Sequence, residues 1–160
     1  LGRIPHNRFA RAASKDDIMQ IEQVIDKTDI RHLITRPVTN LSGGELCRVS
    51  IARVLAVNAD VIMVDEPIAG LDPSHQLSVM QLLKNEAESG RAVVTVIHDL
   101  SLACRFCDTL WLLDKGKMVC SGTADKVLTD EHLRQVYQVT SKIIQSSPIK
   151  VIMPWERISE

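Results

Sequence analysis

Hydrophobic and polar positions along this chain follow helical and strand periods in turn. After a capping box of Ser14 and Asp17, isoleucines recur every three or four residues, which predicts a short amphipathic helix from about Lys15 to Lys27. Those isoleucines are Ile18, Ile21 and Ile25. A second helix follows Ser42, and its apolar stripe is predicted to face a core. The stripe consists of Ile51, Ala52, Leu55 and Ala56.

Two strands with a helix between them are predicted next. Val61 to Asp65 opens with four apolar residues, which is typical of a parallel strand that is buried on both faces. A helix capped by Asp72 then runs to Ser89-Gly90, and Ala92 to Ile97 forms the following strand. The buried side of this helix is expected to carry Leu77, Met80 and Leu83. The whole is a βαβ unit, expected to be right-handed with parallel strands.

The last third of the chain predicts shorter elements. Thr109 to Leu113 and Met118 to Ser121 flank a turn at Lys115-Gly116-Lys117, which indicates a β-hairpin. Thr123 to Leu128 and Asp130 to Tyr137 are predicted to be short helices. The tail from Gln138 to Glu160 is ambiguous, and a peripheral hairpin is one interpretation of it. Its apolar pairs, Ile143-Ile144 and Val151-Ile152, lie on either side of Ser146-Ser147-Pro148.

The segment Leu41-Ser42-Gly43-Gly44-Glu45 suggests phosphate chemistry at the start of a helix. Ser42 can cap the helix and Glu45 can reach back to it, while a helix amino terminus favours anions. Two glycines inside a capping box cost helix entropy, so we interpret the bare backbone as a contact surface for a polyphosphate. The alternative is an ordinary loop-to-helix cap.

Two adjacent carboxylates, Asp65 and Glu66, end the first predicted strand. Open α/β sheets bind ligands at this end of their strands, so one carboxylate can hold a metal and the other can activate water. The alternative is a surface pair at a strand end. His98 ends the next strand and is expected to lie near these carboxylates, although a lone histidine is more often packed in a core. The other histidines are expected to be surface or structural residues: His6, His32, His75 and His132.

Taken in order, these segments resemble the nucleotide-binding subunit of ABC transporters. Leu41 to Glu45 is similar to the signature loop of that family, Val61 to Glu66 to its Walker B strand, and Ala69 to Asp72 to its D-loop. His98 is similar to its switch histidine. The resemblance implies an α/β fold of the P-loop NTPase (RecA-like) type, with part of the helical subdomain of ABC ATPases.

The resemblance also implies roles for these residues in ATP hydrolysis. Asp65 would bind Mg²⁺, Glu66 would orient or deprotonate the attacking water, and His98 would hydrogen-bond the γ-phosphate. The signature residues would close on ATP held by a second ATPase subunit, and Asp72 would lie at the subunit interface. The expected nucleotide-binding residues are therefore Ser42, Gly43, Gly44, Glu45 and Asp72.

One element of a nucleotide hydrolase is missing from these 160 residues. None of the seven glycines begins a G-x-x-x-x-G-K-[ST] loop, whose amides and lysine cradle phosphates. We expect the chain to be the carboxy-terminal part of one ABC-type domain, without the Walker A and Q-loop segments, and inactive alone. Residues 1–58 would hold the helical subdomain and signature helix, residues 59–137 part of the ATPase core, and residues 138–160 a peripheral tail.

Composition adds few constraints. With 45% hydrophobic residues and a net charge of −1, the chain suggests neither a disordered tail nor a basic surface, so no nucleic acid is expected as a partner. No apolar run is long enough to span a bilayer. The resemblance implies integral membrane permease subunits as partners, a substrate-binding protein as an indirect one, and a peripheral location at the cytoplasmic face of the inner membrane.

Cys104-x-x-Cys107 raises a redox or zinc interpretation. The pair belongs to a helical apolar stripe, and no second pair stands at zinc spacing, so buried thiols are the favoured interpretation. The stripe comprises Leu102, Ala103, Phe106 and Cys107.

Weaker similarities concern the transported substrate. Gly2-Arg3-Ile4-Pro5-His6 and Phe9 are similar to importer ATPases for iron-siderophore, haem and cobalamin, and Glu45 in place of a glutamine suits the same group. Leu46-Cys47 stands where the family usually has a polar pair, and Ile68 stands where it usually has a threonine. Two other functions are conceivable: a split-head DNA-repair or chromosome ATPase, and a silent interaction fragment. The first disagrees with the absence of sustained heptads in residues 1–40.

Overall fold

A computed structural model describes residues 2–3, 14–146 and 149–158. The chain divides into two compact units, Leu1–Val96 and Ile97–Glu160, which are described separately. Parts of the sequence interpretation lie outside the described residues. These parts are Ile4, Pro5, His6 and Phe9, and Ser147 and Pro148 of the tail turn.

In the first unit, helix α1 spans Lys15–Lys27 and begins with both halves of the predicted capping box. The predicted bounds of the helix are confirmed, but its isoleucine face is largely exposed to solvent: Ile18 is 53% exposed, and the buried residues are Asp17 and Val24. The Asp17 carboxylate can be buried because it accepts a hydrogen bond from the Nε of Arg3 at 2.6 Å. That bond, followed by hydrogen bonds from Ser14, lowers the pKa of Asp17 to about 2.

Two 3₁₀ turns, Arg31–Leu33 and Val38–Asn40, lead into helix α2, Gly43–Leu55. The predicted apolar stripe of α2 is confirmed. Its four residues are all buried: Ile51, Ala52, Leu55 and Ala56. Burial of this stripe places the opposite face of α2, and the loop before it, at the surface.

The βαβ unit consists of β1 (Val61–Asp65), α3 (Pro73–Glu88) and β2 (Ala92–Val96). The two strands are parallel, as predicted, with Val61 opposite Ala92. Asp72 caps α3 and Pro73 occupies its first turn, also as predicted. The buried side of α3 differs in part from the prediction, because Leu77 is 38% exposed. The residues that do face the interior are Val79, Met80, Leu83 and Glu86.

The prediction that β1 is buried on both faces is wrong for the described residues. Ile62 is buried, but its neighbour Met63 is 73% exposed and Val61 is 55% exposed. Side chains of a strand alternate between two faces, and the sheet formed by the described residues contains only β1 and β2. One face of this sheet therefore presents apolar side chains to solvent.

A buried carboxylate joins three segments of the first unit. Glu86 of α3 is 2% exposed and accepts hydrogen bonds from Nζ of Lys27 at 2.9 Å and from Arg91 at 2.8 Å. Lys27 ends α1, and Arg91 immediately precedes β2. Arg91 also donates to the side chain of Asn58, between α2 and β1. A buried charge needs such partners, so Glu86 fixes these segments relative to each other.

The second unit contains two short helical segments and two hairpins around α4, Leu100–Phe106. The predicted hairpin is confirmed as β3 (Leu110–Asp114) and β4 (Lys117–Gly122). The predicted short helices are confirmed as α5 (Ala124–Val127) and α6 (Asp130–Tyr137). The core of this unit is formed by Leu100, Leu112, Val127, Leu128, Leu133 and Ile152.

The ambiguous tail is a hairpin of β5 (Val139–Ser146) and β6 (Ile149–Arg157). This hairpin is more than peripheral, because Ile152 is 2% exposed within the core. The Ser101 hydroxyl of α4 donates to the carbonyl of Ile152 at 3.0 Å, and so ties β6 to that helix. The tail therefore completes the second unit.

We predict that Glu86→Gln lowers the free energy of unfolding by about 2 kcal/mol, because the amide cannot satisfy both Lys27 and Arg91. Urea denaturation of the purified chain measures this change. Glu88→Gln, at an exposed position of the same helix, is the control and should change stability by less than about 0.5 kcal/mol. Equal stability of Glu86→Gln and the parent would show that the ion pairs contribute nothing net.

Candidate functional site

The signature loop, Leu41 to Glu45, begins α2 in a complete capping box. The Glu45 N–H donates to Oγ of Ser42, and the Ser42 N–H donates to Oε2 of Glu45 at 2.8 Å. Ser42 itself is exposed. The cap therefore holds the loop in shape while leaving the serine accessible to a ligand.

Arg36 braces the same loop, a contact that the sequence interpretation missed. Its guanidinium donates to Oε1 of Glu45 at 2.9 Å and to the carbonyl of Asn40 at 2.8 Å. The hydrogen bond from the Ser42 N–H, together with the Ser42 side chain and the charge of Arg36, lowers the pKa of Glu45. The sequence did carry a signal for this contact: an arginine lies five residues before the loop, and the loop ends in glutamate where glutamine is commoner.

The two glycines of the loop differ in their surroundings. A Cβ atom added to Gly43 would meet nothing within 4 Å, so the backbone there borders open space. A Cβ added to Gly44 would lie 2.5 Å from Cδ2 of His75, which is closer than real contacts allow. The two glycines therefore do not leave the same space for a ligand. Space remains beside Gly43, whereas the imidazole of His75 fills the space beside Gly44.

His75 is itself held by Asp72, the predicted interface residue. One carboxylate oxygen of Asp72 accepts from the His75 backbone N–H at 3.1 Å, and the other lies 2.5 Å from Nδ1 of the ring. These bonds, the backbone one first, lower the pKa of Asp72. Asp72 thus performs the predicted helix cap and also orients the ring that lies against Gly44.

Asp65 and Glu66 are both exposed at the carboxyl end of β1, where the sequence placed them. Glu66 has a φ of 44°, which is uncommon for a residue other than glycine and occurs preferentially at functional sites. The turn that follows is closed by a bond from the Ala69 N–H to the Glu66 carbonyl at 3.1 Å. The strand end therefore turns sharply and leaves two carboxylates in solvent.

Cys47 connects the signature helix to this carboxylate turn. Its Sγ lies 3.1 Å from the carbonyl of Pro67 and donates a hydrogen bond to it. Burial raises the pKa of the Cys47 thiol, which keeps the thiol protonated and able to donate. The sequence interpretation registered Cys47 only as a departure from the usual polar residue.

His98 and the Cys104-x-x-Cys107 pair belong to the second unit. His98 is exposed, and its expected proximity to Asp65 and Glu66 stays a prediction. Both cysteines are half-buried, and Cys104 packs against the hydrophobic core of that unit. Among the described ranges 2–3, 14–146 and 149–158, no three or more His, Cys, Asp or Glu side chains are grouped to hold a metal.

A parallel βαβ unit with adjacent carboxylates at a strand end and a capped Gly-Gly helix start is typical of α/β proteins that bind nucleotides. A family model described as "ABC transporter" matches residues 4–69. Together with the relatives described below, this match confirms the predicted resemblance to the ATP-binding subunits of ABC transporters.

Two curated relatives extend the match. The hemin import ATP-binding protein of Rhodococcus jostii is 41% identical over 145 residues, covering 91% of this chain and 49% of that protein. The iron(3+)-hydroxamate import ATP-binding protein of Bacillus subtilis is 38% identical over 144 residues, covering 89% of this chain and 54% of that protein. The chain therefore spans about half the length of the curated relatives it matches.

A solved structure confirms the fold class. A metal-chelate type ABC transporter in an inward-facing conformation matches with a TM-score of 0.85 and 27% identity, covering 97% of this chain and 63% of that chain. The predicted P-loop NTPase fold is thus confirmed for a chain that holds part of the cassette. Of the helices in the described residues, none has the length and apolar character that crossing a bilayer requires.

We predict that acid weakens the cap of α2 and that Glu45→Gln removes this response. Because the pKa of Glu45 is lowered by folding, its stabilisation is present above the unfolded value of about 4.3 and is lost as pH falls through the lower folded value. Amide exchange at Glu45 and Leu46 between pH 6 and about pH 3 measures this loss.

Glu131→Gln, in the first turn of α6, serves as the control and should leave the response unchanged. An identical acid response in parent and Glu45→Gln would contradict the assigned role of the carboxylate in the cap.

Proposed function

We propose that this chain is the signature-bearing part of an ATP-binding and ATP-hydrolysing subunit that powers an ABC importer for iron chelates, haem or cobalamin. The observation that carries the proposal is the pairing, within one compact unit, of an exposed signature loop with an exposed Asp65 and Glu66 at a strand end. The relatives named for hemin and hydroxamate import support the substrate class.

The signature loop would bind the phosphates of ATP held by a second ATPase subunit. Ser42 is exposed, and the Gly43 backbone borders open space, so both can approach an anion at the positive end of the α2 dipole. Glu45 would act with them by keeping the loop in its capped shape. The nucleotide would then join the two subunits of a two-fold dimer, with Asp72 at their interface.

The carboxylates would act on the water and the metal. Mg²⁺ is bound in nucleotide sites by one or two carboxylates plus phosphate oxygens, so the exposed Asp65 carboxylate suits it. The ion would neutralise charge on the phosphate oxygens. Glu66 would orient or deprotonate the attacking water, and the left-handed turn at its backbone would direct it away from the strand axis.

His98 would hydrogen-bond the γ-phosphate and report whether it is present. The proposed partners follow from the family. They are integral membrane permease subunits, a second ATPase subunit and, indirectly, a substrate-binding protein, with the assembly at the cytoplasmic face of the inner membrane. No nucleic acid is proposed as a partner, since the net charge of −1 offers no excess of cations.

We predict that these 160 residues alone do not bind or hydrolyse ATP measurably. The sequence holds no G-x-x-x-x-G-K-[ST] loop, and that loop supplies the amides and lysine that make most ground-state phosphate contacts. Calorimetric titration of Mg-ATP into the purified chain tests this. Micromolar affinity would overturn the prediction. The positive control is a complete cassette made by joining this chain to the amino-terminal part of the Rhodococcus relative.

In that complete cassette, Glu66→Gln should slow hydrolysis by about 10² to 10⁴-fold while ATP binding survives, because the amide keeps the shape but removes the base. The ATP-bound dimer should then persist on size-exclusion chromatography. Asp65→Asn should instead weaken Mg²⁺-dependent binding. Ser42→Arg should bind ATP yet elute as a monomer, since its side chain blocks closure. Hydrolysis by Glu66→Gln at the parent rate would disprove its assignment as base.

A further inference from the structure

We propose that His75 is a positioning residue that fixes the Gly44 end of the signature loop relative to Asp72. The sequence interpretation gave His75 no role beyond a surface or structural one. In the structure, the three described atoms nearest to an added Cβ at Gly44 all belong to its ring. The side chain is 32% exposed, so the ring is held between the two helix starts without being part of the core.

The requirement for glycine at position 44 comes from this ring. A Cβ there would lie 2.5 Å from Cδ2 and 2.9 Å from both Cγ and Nε2 of His75, so the whole edge of the imidazole occupies the space. Gly43, one residue earlier, has no such neighbour. Of the two glycines in this motif, only Gly44 is therefore required to lack a side chain by the position of His75.

Asp72 determines where the ring lies. An ionised carboxylate only accepts hydrogen bonds, so Nδ1 of His75 carries the hydrogen that the Asp72 side chain accepts. The second oxygen of Asp72 accepts from the His75 backbone N–H. With both bonds made, the ring has one orientation, which presents Cδ2 and Nε2 toward Gly44. The starts of α2 and α3 are thereby in direct contact.

This contact has a functional consequence that rests on the proposed function. Ser42, Gly43 and Asp72 are all proposed to act across the dimer, on the opposing nucleotide or subunit. If the loop and Asp72 moved separately, each would have to be ordered at closure, at a cost in conformational entropy. Through His75 they are ordered together before the second subunit arrives, so closure is a single step.

A double-mutant cycle on the purified chain tests the contact without ATP. We expect His75→Ala to speed amide exchange at Glu45 and Leu46 by about tenfold, since both amides bond to Ser42 in the cap. Gly44→Ala should speed it similarly, and the double variant should be no faster than His75→Ala alone. Gly43→Ala is the matched control, and its effect should simply add to that of His75→Ala.

Two further variants separate the ring from its hydrogen bond. His75→Asn keeps a donor for Asp72 but removes the ring, so exchange should be as fast as in His75→Ala. His75→Phe keeps a ring against Gly44 without the donor, and should restore protection in part. Parent-like exchange in His75→Asn, or simple additivity of Gly44→Ala with His75→Ala, would overturn the proposal.

The activity measurement uses the complete cassette described above. We expect His75→Ala to lower kcat by about tenfold and to weaken ATP-driven dimer formation, with the KM for ATP unchanged, because a different segment holds the nucleotide. Gln81→Ala, exposed on the same helix, is the surface control. Parent-like kcat in His75→Ala would overturn the positioning role. An inactive parent cassette would instead count against the proposed function and leave the exchange result standing.

Discussion

The arrangement of the first unit depends on the buried carboxylate of Glu86. A charge in a protein interior is costly unless its oxygens are fully paired, and here each oxygen meets one cation, Lys27 or Arg91. One cation ends α1 and the other immediately precedes β2, so one charge fixes two distant segments on α3. Helix α1 needs this attachment, because much of its isoleucine face is solvent-exposed rather than buried.

At the candidate site, too, individual side-chain contacts fix separate segments relative to each other. Ser42, Asp65 and Glu66, the residues proposed to meet a ligand, are exposed. Their positions are set by three side chains outside the motifs. Arg36 braces the signature loop, His75 fills the space beside Gly44, and Cys47 ties the signature helix to the carboxylate turn.

The local signals in the sequence predicted most of the secondary structure, because capping boxes, apolar periods and turn residues act over a few positions. The helix starts at Ser14, Ser42 and Asp72 are examples. Burial was predicted less well. Met63 and Leu77 are exposed although their residue type and spacing suggested the interior, since exposure depends on which distant elements cover a face. The partnerships of Arg36 and His75 were missed for the same reason: periodicity does not reveal which side chains meet in space.

Because two methionines of the first unit differ in exposure, their rates of oxidation can report whether one face of its sheet is covered. Met63 on β1 is 73% exposed, whereas Met80, on the helix that follows, is 2% exposed. Peroxide converts accessible thioethers to sulfoxides, so brief treatment and peptide mass spectrometry would label Met63 well before Met80. Any partner or added segment that covers the open face of the sheet would slow the labelling of Met63 relative to that of Met80. The ratio of the two sulfoxides therefore reports directly on whether that face is covered.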